Sequence, residues 1–288
     1  MADNRTNGLN APLLVQGLCK NYPGFQLKKI TFALEAGKIT GFIGRNGAGK
    51  TTTINSVLSM IRPDEGVVRF SGLTMEEHAR EIKEKIGFVS AGMTYYTRKK
   101  LGTITGITKS FFPAWDDAVY RQYMERFGLT DDKTPAELSN GMKIKYALTL
   151  ALSHGANLFI LDEPTSGLDP VSREELVEIF LRLRDMGKTV FFSTHITSDL
   201  EKCADRILFL QKGELKADAA LTDFQAAYRL QECTGTIPPE LQDKAKGTCR
   251  IRDGYTVLLS AADADPALTR EATLEEIMIH LEKEGESC

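Results

Sequence analysis

The stretch from Lys38 to Met60, KITGFIGRNGAGKTTTINSVLSM, decides the fold. An apolar run from Ile39 to Ile43 precedes a glycine-rich loop, and apolar residues at helical spacing follow the loop. This order predicts a strand, a loop and a helix. The loop from Gly44 to Thr51 fills every fixed position of the pattern G-x-x-x-x-G-K-[ST], which is typical of phosphate-binding loops. The alternative is an ordinary glycine turn, and the complete pattern with its flanks argues against it.

Each residue type in this loop suits a bound triphosphate. Gly44, Gly47 and Gly49 allow backbone conformations that point successive amide N–H groups at a phosphate. The following helix directs its unpaired N–H groups and the positive end of its dipole at the same anion. Lys50 supplies a positive charge for the outer phosphates, and Thr51 supplies a hydroxyl for Mg²⁺. The loop therefore predicts a nucleotide site.

Composition narrows the class of protein. The 288 residues allow one or two domains, and a net charge of −3 gives no electrostatic reason to expect nucleic acid as a partner. No run approaches the ~18 apolar residues of a membrane span, and no signal core follows Met1. The cysteines are scattered and odd in number, which favours reduced thiols over disulfides or a metal site. They are Cys19, Cys203, Cys233, Cys249 and Cys288.

Apolar, strand-like runs alternate with helical patterns beyond the loop, which predicts an α/β fold with a parallel sheet covered on both faces. Chemistry in such sheets collects at the carboxyl ends of the strands. Between Ala91 and about Glu137 the strand signal fades and helical spacing replaces it. The apolar segment FFPAW in this insertion either fills a local core or presents a docking surface. Ser139 is the expected N-cap of the helix that follows.

Two neighbouring acids, Asp162 and Glu163, follow the apolar run that starts at Leu158. Neighbours in an extended chain face opposite ways, so we assign them different roles. Asp162 is expected to hold Mg²⁺ opposite Thr51, and Glu163 to orient or deprotonate the water that attacks the γ-phosphate. A solvated acidic pair is the alternative, but it does not require an apolar run ahead of it.

His195 and Tyr22 are further candidates. His195 ends another apolar strand, where it either has a structural role or donates a hydrogen bond to the γ-phosphate. Tyr22 lies in the turn Asn21–Gly24, where it is either a surface aromatic or a platform for the nucleotide base. We favour the functional interpretation of both.

Together these motifs resemble the nucleotide-binding subunit of an ATP-binding cassette (ABC) transporter over about residues 12–220. The matching segments are Tyr22 at the base-stacking position, Gly44–Thr52 as the phosphate loop, Leu138–Met142 as the signature, Leu158–Glu163 as the catalytic strand, Ser166–Asp169 as the next loop and His195 as the switch histidine. The segments FFPAW with Asp116, and LSNGMKIK, further resemble subunits of bacterial exporters for antibiotics or similar amphiphiles.

The resemblance implies a P-loop NTPase-type, mainly parallel sheet with an antiparallel β subdomain and a helical signature subdomain at about residues 91–155. Residues 1–11 are expected to be disordered, and 221–288 to form a small α+β extension. ATP and Mg²⁺ are the implied cofactors. The implied nucleotide-binding residues are Tyr22, Gly44, Asn46, Gly47, Ala48, Gly49, Lys50, Thr51, Thr52, Ser139 and Gly141; the metal ligands are Thr51 and Asp162, and the catalytic residues are Lys50, Glu163 and His195.

The same resemblance implies partners. Two cassettes, identical or different, face head to tail, with ATP between one phosphate loop and the partner chain's signature at Ser139 and Gly141. A separate integral-membrane subunit uses the hydrolysis for transport, which places this chain in the cytoplasm at the inner face of the membrane. Two alternatives stay open: a soluble ABC-type ATPase acting on ribosomes or DNA, and a nucleotide-gated module that hydrolyses ATP weakly.

Two departures from the family pattern accompany the match. No glutamine occurs between Gln26 and Gln122, although the family usually has one where Ala91–Met93 stands here. The coupling role of that glutamine is therefore in doubt. Asn140 and Met142 replace the usual glycine and glutamine of the signature.

The tail beyond Leu221 falls outside the family pattern. Arg250–Leu259 predicts a hairpin with Asp253-Gly254 at its turn. The capping-box sequence Thr273–Glu276 predicts a helix with one apolar stripe. That stripe either packs on the hairpin of the tail or serves a dimer or regulatory contact.

Overall fold

The computed structural model describes residues 11–90 and 96–283. The predicted disorder of residues 1–11, Ala11 excepted, and the segment Ala91–Met93 lie outside the described residues. The elements of the first half are β1 (Leu14–Tyr22), β2 (Phe25–Ala33), β3 (Ile39–Ile43), α1 (Lys50–Val57), β4 (Glu65–Arg69), α2 (Met75–Lys85), β5 (Ile86–Ser90), α3 (Leu101–Lys109), α4 (Asp117–Arg126), a 3₁₀ turn (Pro135–Glu137) and α5 (Asn140–Ser153).

The elements of the second half begin with the strand of the two acids. They are β6 (Leu158–Asp162), α6 (Pro170–Asp185), β7 (Thr189–Thr194), α7 (Thr197–Cys203), β8 (Arg206–Gln211), β9 (Glu214–Ala220), α8 (Leu221–Ala226), β10 (Tyr228–Thr234), α9 (Pro239–Gln242), β11 (Gly247–Ile251), β12 (Gly254–Ser260), β13 (Thr269–Glu271) and α10 (Leu274–Glu282). None of the helices in the described ranges is both long enough and apolar enough to cross a lipid bilayer.

A six-stranded sheet in the order β5-β6-β7-β3-β8-β9 forms the centre of the molecule. All of its pairings are parallel except that between β8 and β9. The predicted α/β fold with a mainly parallel sheet is confirmed. Because β6, β7 and β3 are neighbours, their carboxyl ends meet at one edge of the sheet.

The central strands are buried on both faces, and neighbouring side chains enter different cores. Phe191 of β7 packs in one core with Phe42 and Ile160, whereas Phe192 packs in the other core beside helix α6. This burial explains why these strands are continuous apolar runs without alternation. The sheet is therefore fixed in position by helices and strands on both faces.

A three-stranded antiparallel sheet, β2-β1-β4, packs beside the phosphate loop. Strands β1 and β2 continue two to four residues further toward their shared turn than the apolar runs predict, and they meet as a hairpin in which Tyr22 pairs with Phe25. The predicted antiparallel β subdomain is confirmed.

The helical insertion has a core of its own, around the fully buried Tyr146. Trp115 packs against this core, whereas Phe111 is 70% exposed and Phe112 stacks on His154 at 4.0 Å between ring centroids. The FFPAW segment therefore contributes to the local core through Trp115, to a stack on the buried His154 through Phe112, and to the surface through Phe111.

The C-terminal elements form a four-stranded sheet, β11-β12-β10-β13, capped by α10. The apolar stripe of α10 packs on this sheet and also on α7, in one core with Leu200 and Cys203 of the ATPase body. The expectation that this stripe packs on the hairpin of the tail is therefore incomplete, because the stripe also packs on the ATPase body. Burial in this core raises the pKa of the Cys203 thiol to about 12.

The tail hairpin turns one residue earlier than predicted. Ile251 pairs directly with Gly254, so Arg252 and Asp253 form the turn. Gly254 is already part of β12, where a Cβ would lie 1.9 Å from the carbonyl oxygen of Cys233. Close packing of strands, rather than turn geometry, requires this glycine.

The shared core predicts that α10 stabilises the whole chain. Ile277 is fully buried, so Ile277→Ala should lower the free energy of unfolding by about 2–5 kcal/mol. Ile279, on the same helix, is 44% exposed, and Ile279→Ala should change it by less than about 0.5 kcal/mol. Urea denaturation monitored by circular dichroism measures both. Equal midpoints for the two variants would contradict this packing.

Candidate functional site

The ends of three adjacent strands form the site. Strand β3 leads into the phosphate loop at Gly44, β6 ends at Asp162, and β7, between them, leads to His195. The parallel register places Asp162 beside Ser193 and Ile43 beside Thr194. All the candidate residues at strand ends are thus brought to one edge of the sheet, as the sequence predicts.

Contacts from neighbouring strands set the shape of the phosphate loop. Gly49 has a φ of 112°, and a Cβ there would lie 2.7 Å from the ring of Phe25. A Cβ on Gly44 would lie 2.3 Å from the carbonyl oxygen of Leu210. Gly47, with a φ of 83°, meets nothing within 4 Å. The glycines are therefore needed for two reasons: close packing behind the loop and positive φ along it.

The loop and the start of α1 fit a phosphate group. Gly49 is the N-cap of α1, and it has no side chain that could cap the helix. The N–H groups of the first turn lack intrahelical acceptors, so no side chain of the N-cap satisfies them. The Lys50 ammonium is buried and donates to the carbonyl oxygens of Gly44 at 2.7 Å and Arg45 at 3.3 Å. These N–H groups and the ammonium are the donors that an anion requires.

Thr51 and Asp162 form a pair of oxygen ligands. The Thr51 hydroxyl donates to Asp162 Oδ1 at 3.2 Å, and the carboxylate is buried. Mg²⁺ prefers such oxygens, and it usually takes one or two protein ligands together with substrate phosphates. Across residues 11–90 and 96–283 no cluster of three His, Cys, Asp or Glu side chains suggests a metal cage. The donor set therefore fits a cation that the nucleotide also helps to bind.

Glu163 lies between Lys50 and His195. Its Oε1 is 3.1 Å from Lys50 Nζ, and its Oε2 is 2.8 Å from Nδ1 of His195. Strand β6 ends at Asp162, and Glu163 has a left-handed φ of 50°. The argument from an extended chain therefore does not apply at this residue. The local change of conformation, which is costly for a residue with a side chain, turns this carboxylate toward the loop.

Ser193 is a site residue that the sequence analysis missed. Its fully buried hydroxyl donates to Asp162 Oδ1 at 2.7 Å and accepts the N–H of Glu163 at 2.9 Å. One side chain thus positions both acids. The available signal was a serine inside the otherwise apolar run of Phe191 and Phe192, but its partner could be found only from the strand register.

The remaining candidates lie around the loop. Tyr22 is 41% exposed at the end of β1, across from Phe25, whose ring contacts Gly49. Asn46 is exposed in the loop, Ala48 is buried, and Thr52 is half-buried in the first turn of α1. Tyr22 is thus on the hairpin that packs against the loop, and the Lys20 ammonium lies over its ring, 5.7 Å from the centroid.

Ser139 and Gly141 lie elsewhere. In the described part of the chain, no hydrogen bond or ion pair joins them to the phosphate loop. The Ser139 side chain caps α5 by accepting the N–H of Met142 at 3.2 Å, as predicted. Gly141 faces Leu168, within the loop before α6, and a Cβ on this glycine would lie 3.3 Å from the Leu168 side chain. The signature therefore adjoins the Ser166–Asp169 loop.

The fold and the phosphate loop define a P-loop ATPase. The family model for ABC transporters matches residues 27–166. An ABC transporter ATP-binding protein of Nostoc sp., all4389, is 33% identical over 232 residues, which cover 76% of this chain and 68% of that protein. The chain therefore belongs to the ATP-binding subunits of ABC transporters.

Two further comparisons extend the match. The Nod factor export ATP-binding protein I of Burkholderia lata is 28% identical over 276 residues, covering 88% of this chain and 90% of that protein. A solved ATP-binding subunit of an ABC transporter superposes with a TM-score of 0.68 at 26% identity, covering 75% of this chain and 92% of that one. As a member of this family, the chain is an ATPase that uses ATP and Mg²⁺.

The two hydrogen bonds of Ser193 predict a loss of turnover when its hydroxyl is removed. Hydrogen bonds to charged groups contribute about 1.5–3 kcal/mol, so Ser193→Ala should lower ATP turnover roughly 10- to 100-fold. Steady-state phosphate release at saturating Mg-ATP measures this effect.

Ser153→Ala is the matched control, because Ser153 is also fully buried and its hydroxyl donates within α5 to the carbonyl oxygen of Thr149 instead of to either acid. It should leave turnover unchanged. A Ser193→Ala rate within twofold of the parent chain would contradict the positioning role.

Proposed function

We propose that the residues at the strand ends perform ATP hydrolysis in the following roles. The loop amides of Gly44, Gly47 and Gly49 and the Lys50 ammonium bind the phosphates. The ring of Tyr22 stacks on the base. The observation that carries the proposal is the convergence of Lys50 and His195 on the carboxylate of Glu163, at 3.1 and 2.8 Å.

Thr51 and Asp162 would hold Mg²⁺, which supplies charge stabilisation at the phosphates when it is bound. Glu163 accepts a proton from water, or orients it, because its carboxylate is near the loop but is not one of the proposed metal ligands. The imidazole of His195, 40% exposed, is held by Glu163. As an imidazolium it donates Nδ1–H to Glu163 and Nε2–H to the γ-phosphate. Ser193 keeps both acids in place.

The proposed active unit is a dimer in which each chain completes the other's site. Support comes from Ser139 and Gly141, which have no bond to the phosphate loop of their own chain in the described residues. Ser139 heads α5, a helix of 14 residues whose N-terminus favours an anion. A head-to-tail pair with twofold symmetry would bring this N-terminus to the partner's phosphate loop.

Mixing two inactive variants tests this arrangement. Lys50→Ala disables a phosphate loop, and Ser139→Phe disables a signature without disturbing a buried residue. A head-to-tail heterodimer of the two retains one intact composite site, so the 1:1 mixture should hydrolyse ATP several-fold faster than either variant alone. Phosphate release after subunit exchange measures the rate.

Each variant mixed with the parent chain is the control for exchange. If sites were completed within one chain, every chain in the mixture of variants would lack one component, and the rate would stay at the level of the separate variants.

We propose that a separate membrane subunit docks in an apolar groove between the ATPase body and the helical insertion. The groove, of about 310 Å³, is lined by residues such as Met60, Phe88 and Phe112. Burial holds the pKa of His154, also in the groove, below its usual value, so this imidazole is neutral. Met60 is 60% exposed, and Phe111, which precedes Phe112 in the sequence, is 70% exposed. This chemistry suits the apolar face of an amphipathic helix.

We further propose that this complex exports an antibiotic-like or amphiphilic compound and sits at the inner face of the cell membrane. The support is the exporter-like segments FFPAW and LSNGMKIK, together with the Burkholderia relative, whose name assigns it to export. We assign residues 12–220 to the ATPase domain and 221–288 to the C-terminal extension. The alternatives without a membrane partner predict no stable association with membranes.

Co-purification tests the docking groove. Met60→Asp places a charge in the groove and should abolish co-purification of the tagged chain with an integral-membrane protein, while ATP binding persists. Met186, at the end of α6, is 62% exposed, so Met186→Asp is the matched control and should not affect co-purification. Mass spectrometry of detergent-solubilised membranes identifies the partner. Retention of the partner by Met60→Asp, or the lack of any partner with the parent chain, would refute the docking proposal.

A further inference from the structure

A cavity of about 560 Å³ lies between the catalytic edge of the sheet and the C-terminal helix. One wall is formed by Gly44, Arg45 and the segment His195–Ser198. The other is formed by Glu275, Met278, Ile279 and Glu282 of α10 and by Lys283, which caps this helix. Its volume lies in the range of small-molecule sites. None of the proposed roles in ATP hydrolysis uses the α10 wall.

This wall is held firmly against the ATPase body. The N–H of Leu274 donates to Glu201 Oε1 of α7 at 2.9 Å, and Gln211 Nε2 donates to the carbonyl oxygen of Leu281 at 2.9 Å. One bond thus fixes each end of α10. Because the two walls are joined in this way, the cavity is a preformed feature of the chain, which lowers the cost of binding.

The lining combines an apolar surface with charges of both signs. Ile196, Met278 and Ile279 supply the apolar part, and Ile279 is 44% exposed. Glu275 and Glu282 supply negative charge. Ile196 is half-buried and Met278 is buried, so Ile279 is the exposed member of an apolar surface that lies beside charged groups in one cavity.

None of the four charged side chains in the lining has an ion-pair partner within the described ranges. Arg45 and Lys283 face no carboxylate within 4.0 Å, and Glu275 and Glu282 face no cation. Glu282 is only 8% exposed, and its Oε1 has no hydrogen-bond partner among these residues. A buried carboxylate oxygen without a donor is costly, so a ligand that supplies the donor gains affinity.

We propose that this cavity binds a zwitterionic amphiphile of the size of a short apolar peptide. A ligand ammonium pairs with Glu282, with Glu275 nearby, and a ligand carboxylate pairs with Arg45 or Lys283. The apolar body of the ligand covers Ile196, Met278 and Ile279. A ligand with a single charge would leave one set of protein charges without a partner. The site lies beside the proposed switch residue His195 but does not depend on any assignment of a membrane partner.

Titration calorimetry of the full chain with three related peptides tests the charge requirement. The probes are trileucine, N-acetyl-trileucine, which lacks the ammonium, and trileucine amide, which lacks the carboxylate. Trileucine should bind. Each blocked peptide should bind at least about tenfold more weakly than trileucine, because a charge-assisted contact is lost. No binding of trileucine at millimolar concentration, or equal binding of all three peptides, would overturn the proposal.

A variant pair locates the site. Glu282→Gln is nearly isosteric and should weaken trileucine binding about tenfold, whereas ATP affinity stays unchanged. Glu240→Gln, which removes an exposed charge from α9, is the matched control and should bind trileucine like the parent chain. Equal weakening by both variants would overturn the assignment to this cavity. The peptide series on the parent chain remains decisive if Glu282→Gln does not fold.

A shortened chain tests whether residues 284–288, which follow Lys283 directly in the sequence, compete with the peptide. A chain that ends at Lys283 should bind trileucine as the full chain does. Binding by the shortened chain alone would assign the cavity to residues 284–288 and overturn the proposal. ATP affinity, measured in parallel, separates failure of this inference from failure of the phosphate-site assignment.

Discussion

The parallel pairing of β6 with β7 is the constraint on which the site depends. It places Asp162 next to Ser193, whose hydroxyl then contacts this carboxylate and the N–H of Glu163. A slip of one residue would turn the buried side chains of either strand to the opposite face. Because both faces are packed with large apolar side chains, such a slip would be costly. The packing of the core therefore fixes the positions of the acids.

The phosphate loop depends on a second set of contacts, from elements distant in sequence. The hairpin of β1 and β2 packs on Gly49 through Phe25 and Leu27, and the carbonyl oxygen of Leu210 at the end of β8 lies behind Gly44. The same hairpin carries Tyr22. The antiparallel subdomain thus supports the loop and presents the proposed base platform at once. This link explains why Phe25, which has no assigned chemistry, packs directly against the loop.

The C-terminal extension is structurally continuous with the ATPase body. Its helix shares a core with α7, the helix that follows His195, and Glu201 of α7 accepts the N–H of Leu274. The body of the enzyme therefore meets the extension close to its catalytic edge. An apolar stripe on a helix indicates that the stripe is buried against another surface. The stripe alone does not identify that surface, since any apolar surface removes it from water equally well.

The sequence by itself determined the main strand and helix order of the ATPase body, the phosphate loop, the cap at Ser139 and the capping box at Thr273, because all of these depend on residues within a few positions of one another. It also predicted the family through the order of the motifs. Tertiary structure alone decided the partner of Ser193, the left-handed turn at Glu163 and the two surfaces under α10. These features depend on strand register and on packing between segments far apart in the chain. The same local pattern of residues is compatible with several such arrangements, and only the packing of the complete core distinguishes between them.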